Sequence, residues 1–114
     1  VQSLSDVPVL AVGYRSRLRA DQDVTTRVQN SRQTRAEVPG LSVAAATALN
    51  EFVPQQLRHV ADDVGWFFLD PIRAIPGNDT AFIDATHFSE AGLTQLAEML
   101  TAEVTPMVNK ACDL

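Results

Sequence analysis

Cysteine is all but missing from this chain of 114 residues. The single Cys112, close to the chain end, excludes an internal disulfide, and a cysteine–histidine metal cluster cannot be assembled around it. What remains for Cys112 is a thiol without a role or a bridge to another molecule. Long apolar runs are also missing. None approaches the ~20 residues that cross a bilayer, so no membrane span is expected. There is no basic start followed by an apolar stretch, so no signal peptide is visible. The chain opens on Val1 rather than Met, as a processed, trimmed or partial chain does. Positive charge is in deficit too, with 9 basic against 14 acidic residues and a net charge of −5. That balance argues against nucleic acid as a partner.

Hydrophobic residues make up 46% of the chain and charged residues 20%, a composition that folds. The length allows one domain, residues 1–114, burying roughly two-thirds of its unfolded surface. Charge is uneven along it. Arg15, Arg17, Arg19, Arg27, Arg32 and Arg35 crowd into one stretch with only Asp21, Asp23 and Glu37 against them, so residues 15–37 carry +3 and the rest −8. The stretch reads as a solvated loop and helix face, or as a site for an anion or an acidic partner surface.

Val7 to Gly13 is a short apolar run rich in valine, read as a buried strand with Pro8 at its start. After the arginine-rich stretch and Pro39-Gly40, Ser42 is placed to cap a helix. Leu49, Val53, Leu57, Val60 and Val64 share one helical face, Pro54 predicts a kink or two abutting helices, and Gly65 ends the segment. Trp66 to Asp70 reads as a second strand, with Trp66 in the core. Ile72 to Thr80 reads as a loop. A last helix is expected from Ser89 to about Val108, burying Leu93, Leu96, Ala97, Leu100 and Val104. Strands buried on both faces and separated by helices predict a parallel α/β sheet. Two strands make a poor sheet, so another chain or a second copy is expected to cover strand 7–12.

One segment stands out for chemistry: Phe82-Ile83-Asp84-Ala85-Thr86-His87-Phe88-Ser89-Glu90-Ala91-Gly92. A serine nucleophile needs an imidazole to take its proton and a carboxylate to hold the imidazole tautomer. Asp84 and His87 supply that pair three residues apart. Spacing alone equally describes a turn-capping aspartate beside a surface histidine.

Asp-x-x-His followed by an aromatic, Ser, Glu, a small residue, Gly and an amphipathic helix resembles the last block of the SGNH (GDSL-type) hydrolase superfamily. The resemblance extends over about residues 5–108, through Ala48-Leu49-Asn50, Gly65 and the strand ending in Asp70, and is sharpest from Phe82 to Leu100. It implies a three-layer α/β/α, flavodoxin-like sandwich, of which this chain would be the C-terminal half. It also implies hydrolysis or transfer of acyl groups at esters without metal or other cofactor. His87 matches the catalytic base and Asp84 the carboxylate that orients it, although some members use a backbone carbonyl instead.

The chain departs from that pattern where the nucleophile belongs, since no Gly-Asp-Ser occurs. Ser3, Ser5, Ser16, Ser31, Ser42 and Ser89 lack the strand-to-helix glycine context of an activated serine, and Ser89 reads as a helix cap. Neither Asn30 nor Asn50 can be assigned as the oxyanion asparagine, and Asn50 matches a structural asparagine of the family. His59 reads as solvated, the pair Asp62-Asp63 as a structural charge pair at a helix end, and Asp70 as a turn residue or a lining of the crevice beyond the strands. Three functions follow. The first is the Asp–His portion of a Ser-His-Asp esterase, inactive alone and completed by an N-terminal half that brings the serine to an acyl ester. The second is a non-catalytic binding module that dimerises through strand 7–12. The third is an unrelated α/β domain with an anion site around residues 15–35.

Overall fold

The computed structural model describes residues 7–71 and 75–112. Two short strands, β1 (Leu10–Val12) and β2 (Phe67–Leu69), pair in parallel with Leu10 opposite Phe67 and Val12 opposite Leu69. The ladder extends beyond them through Phe67 N–H to the Val9 carbonyl (2.9 Å) and Gly13 N–H to the Leu69 carbonyl (2.8 Å). Val9, Ala11 and Gly13 thus turn their main chain to β2. By the alternation of a strand, Leu10 and Val12 turn theirs to the other edge, where no strand pairs among the described residues.

After β1 come two short helices, α1 (Val24–Asn30) and α2 (Arg32–Glu37), which meet at the fully buried Ser31. Asp23 starts α1 by accepting from Thr26 N–H at 2.7 Å, one of the amides a helix start leaves free. The crossover to β2 is α3 (Val43–Val64), capped by the Ser42 hydroxyl on Ala45 N–H (3.0 Å). It closes at Gly65, whose φ of 76° is the left-handed conformation that an L side chain disfavours. Pro54 neither divides nor ends α3. A Cβ at Gly13 would lie 3.3 Å from Phe68 Cζ and 3.4 Å from Pro54 Cβ, so the proline seats against the end of β1, where glycine leaves it room.

The final helix, α4 (Glu90–Cys112), meets the core by its N-terminal part, and farther along Met107, Lys110 and Ala111 face Val7 to Val9 and Val64 to Phe67 across a groove of about 740 Å³. Leu96 and Met99 lie with Phe88 on a core of Ile75, Ala81 and Phe82. The molecule measures 53 × 29 × 22 Å with a radius of gyration of 16.7 Å, against about 13 Å for a close-packed chain of this length.

The three-layer, flavodoxin-like sandwich implied by the resemblance is not what the chain forms. The described residues are 57% helical, and the sheet among them has two strands of three residues, shorter than the spans 7–13 and 66–70 read from sequence. Such a sheet offers too little area to cover two helical layers. The buried faces shift accordingly. Leu49, Val53, Val60 and Val64 are all about half exposed, and α3 instead buries Ala46, Thr47, Pro54 and Ala61, small residues that let it approach β1 and β2 closely. Leu93 and Val104 of α4 are exposed for the same reason, and Trp66, at 41% exposure, lies outside the core. Of the expected loop 72–80, Ile72 to Ala74 lie outside the described residues, and Ile75 to Thr80 forms no helix or strand.

Gly92, in the first turn of α4, presses so closely on Ala81 that a Cβ there would enter the Ala81 carbonyl oxygen. Gly92→Ala is therefore expected to lower stability by about 1–3 kcal/mol, despite the ~1 kcal/mol that alanine gains over glycine inside a helix. Urea denaturation of the two proteins measures the difference, and equal midpoints would contradict this packing.

Candidate active site

Ala81 to Ser89 folds back on itself as a tight hairpin-like loop. Ser89 N–H donates to the Ala81 carbonyl (2.8 Å), Ile83 N–H to that of His87 (2.9 Å), and Phe82 bridges Phe88 in antiparallel fashion. The Asn78 side chain secures one end by accepting from the N–H groups of Thr80 and Ala81, both at 3.1 Å. At the other end the Ser89 hydroxyl accepts from Gly92 N–H (3.1 Å) and caps α4, as the sequence suggested.

Inside the loop, Asp84 Oδ1 accepts from the backbone N–H groups of Thr86 (2.9 Å) and His87 (2.8 Å). The carboxylate also meets the imidazole: His87 Nδ1 lies 2.9 Å from Oδ2 and 3.0 Å from Oδ1. Those backbone donors, Thr86 first and His87 next, hold the Asp84 carboxyl well below its usual range, at about 2. An ionised carboxylate only accepts, so the proton of the neutral imidazole is placed on Nδ1 and the lone pair on Nε2. Nε2 has no partner among the described residues, and the His87 side chain is 71% exposed. Three residues thus yield an imidazole whose orientation and tautomer are set and whose basic nitrogen faces outward.

The loop is fastened to the segment that follows β1. Arg17 N–H donates to the Ala85 carbonyl (2.9 Å), and the Tyr14 hydroxyl donates to that of Thr86. The Tyr14 ring meets Phe88 edge-on (6.1 Å, 77°), and Phe88 leans on buried Phe82 at 4.9 Å. Burial, with the negative Asp84 nearby, raises the Tyr14 phenol above its ordinary value, which keeps it a donor. Sequence reasoning passed over Tyr14. An aromatic directly after the strand-ending Gly13 was the available signal. The pair therefore lies at the C-terminal end of a parallel strand, where such sheets place their ligands.

The remaining candidates are occupied elsewhere. Asp70 joins Arg15 at 2.8 Å, and Glu51 holds the same guanidinium from the other side. Ser16 donates to Asn50 Oδ1 (3.0 Å) and accepts from Leu18 N–H (3.3 Å), and Ser31 is buried between the short helices. Gly40-Leu41-Ser42 is a Gly-x-Ser in sequence only, since its serine caps α3. Asn50 also donates to the Leu18 carbonyl, and Asn30 donates to the Arg17 carbonyl and to Gln22, so both asparagines hold loops rather than face His87. His59 is exposed on α3. Ser3 and Ser5 lie outside the described residues. Among the described residues no group of three histidine, cysteine or acidic side chains gathers where a metal could sit, and no helix is long and apolar enough to cross a membrane.

A carboxyl whose folded value is lowered contributes stability above its unfolded value of about 4, and that contribution fades as pH falls toward the folded value. Between pH 4 and 2 the loop should therefore lose its order. The amide resonances of Thr86 and His87 are expected to titrate together with a midpoint near 2 in an NMR pH series, the value that their own bonds give Asp84. A midpoint near 4 would mean that the carboxylate does not hold them.

No family model, curated protein or solved structure matches this chain.

Proposed function

We propose that Asp84 and His87 are the acid–base half of a Ser-His-Asp triad acting on carboxylic esters, as the SGNH resemblance implies, and that an N-terminal half, in a second polypeptide or in a longer parent chain, supplies the serine and the oxyanion donors. The observation that carries this reading is the imidazole bound through Nδ1 to a carboxylate at 2.9 Å with Nε2 open to the outside. In such a triad Nε2 takes the proton of the serine hydroxyl as it attacks the ester carbonyl and returns it to the departing alcohol. Asp84 keeps the tautomer and stabilises the imidazolium formed in between. Nε2 has no hydroxyl before it among the described residues, and triad members act as a unit, so the lone chain is inactive in this reading.

A fluorophosphonate probe tests it. The isolated chain is expected to show no adduct by intact mass. The complex with its completing polypeptide should carry one adduct, on that polypeptide, and should hydrolyse a chromogenic ester. His87→Ala should then lower kcat/KM about 10⁴-fold or more. An adduct on a serine of this chain, or unchanged hydrolysis by the His87→Ala complex, would reject the assignment.

The unpaired edge at Leu10 and Val12 favours a second reading, a non-catalytic module that dimerises by pairing β1 with its two-fold mate. Light scattering of the isolated chain at micromolar concentration separates the two. A dimer that Val12→Pro abolishes supports self-pairing, and a monomer removes it.

A further inference from the structure

The six arginines of residues 15–37 do not act alike, and Arg27, whose Nε like those of Arg15 and Arg17 is buried without a partner, does not line the groove that Arg17 and Arg32 share. Arg15 is held between Glu51 and Asp70. Arg19 is 8% exposed, donates through Nε to the Ser16 carbonyl and lies over the Phe82 ring at 5.8 Å. Arg35 turns back to Ser31 Oγ and the Val28 carbonyl, both at 3.0 Å. These three are spent on the fold. Arg17 and Arg32 are not. Arg32 makes no side-chain hydrogen bond or ion pair among the described residues. Arg17 meets only Asp79, whose side chain is 94% exposed, and its Nε is buried without a partner.

Both line one groove of about 440 Å³, together with Gln29, Gln33, Ala36 and Ala85. Gln29, Arg32, Gln33 and Ala36 fall at the spacing of one helix face across the α1–α2 junction. Gln33 is turned to Glu37 at 3.3 Å, which leaves two guanidinium groups and the Gln29 amide as donors. The far wall, Ala85, lies between Asp84 and Thr86 in the His87 loop and is fixed to Arg17 by its carbonyl. Two guanidinium groups, that of Arg32 free, therefore line one open groove beside the candidate catalytic loop, in a chain that is otherwise acidic.

We infer that this groove is a subsite for an oxyanion, so that the ester presented to His87 carries a carboxylate or phosphate on its acyl or alcohol part. The inference deepens the proposed function and rests on it for the word ester. The anion site itself is read without catalysis. Guanidinium groups suit such ligands because their paired N–H groups match two oxygens at once.

The test is an NMR titration of the isotopically labelled chain with inorganic phosphate and, separately, with succinate. Saturable shifts are expected at the Arg17 and Arg32 Nε–H groups, the Gln29 side-chain amide and the Ala85 amide. They should weaken as sodium chloride is raised. Arg32→Gln, an exposed substitution that leaves the fold alone, should weaken binding about tenfold or more, whereas Arg58→Gln on α3 should not change it. Tighter phosphate than succinate assigns a phosphoryl group, and the reverse order a carboxyl group. Equal binding by Arg32→Gln and the parent, or shifts shared with Arg58, would overturn the subsite. His87→Ala should bind these anions as the parent does, so failure of the groove and failure of the triad read out separately.

Discussion

The Asp84 carboxylate is the constraint on which the candidate site depends. It accepts from two successive backbone amides and faces the imidazole with both oxygens, so one side chain closes the turn and also sets the base. Its contacts are local, spanning three residues, and need no deep burial to persist. That explains how an exposed pair on a small, loosely packed chain can still be ordered. The lowered pKa at about 2 has the same origin, because the backbone donors that shape the turn favour the ionised form.

Beneath that loop the aromatic contacts of Tyr14, Phe82 and Phe88 are joined by a polar support. The segment from Gly13 to Gln22 belongs to no helix or strand, so its main-chain groups must find partners singly. Amide side chains answer that need, since each offers both donors and acceptors. Gln22 donates to the carbonyls of Arg17 (2.9 Å) and Gly77 (3.0 Å) and accepts from Arg19 N–H (2.8 Å) and Asn30 (3.1 Å). Asn50 reaches the same segment from α3 and binds Ser16 and Leu18. Through Tyr14 and Arg17 this braced segment then carries the His87 loop. A core with so few large buried side chains leaves much of the specification of this region to hydrogen bonds, whose directionality fixes loop geometry as packing alone would not.

What could be read in advance follows the range of the interaction concerned. The parallel pairing of residues 10–12 with 67–69, the caps at Ser42 and Ser89, the close of α3 at Gly65 and the Asp84–His87 contact all arise within a few residues or from a continuous apolar run, and they were legible. The faces of α3 and α4 were not. Leu49, Val53, Val60 and Val64 have the spacing of a buried stripe, yet only two short strands stand before them, and the closest approach goes to Ala46, Pro54 and Ala61. Periodicity shows that a helix has an apolar side, but the extent of the opposing surface decides how much of it is covered. Tyr14 was missed for a related reason, because its value to the site comes from Thr86 and Phe88, more than seventy residues away in sequence.

The unused stripe and the unfinished site can be considered together. Phe52, Val53 and Val60 on α3, Phe67 on β2 and Leu93 and Val108 on α4 are each about half exposed or more, and no strand pairs with the outer edge of β1 among the described residues. Single apolar side chains on a surface are ordinary, but so many on consecutive elements of a chain with a small core leave a large hydrophobic free energy unrealised. Among the described residues no hydroxyl stands before His87 Nε2, so under the proposed reading the acid–base pair lacks its nucleophile. Under the proposed reading one partner meets both deficits: a strand beside β1 would pair Leu10 and Val12, and its end would lie at the same edge of the sheet as Tyr14 and the His87 loop. A serine delivered there would need no rearrangement of the acid–base pair, because Asp84 already holds the imidazole in the form that accepts a proton. The order of assembly then has a physical basis. In that reading the local hydrogen bonds would prepare the base first, and burial of the apolar faces would bring the nucleophile to it.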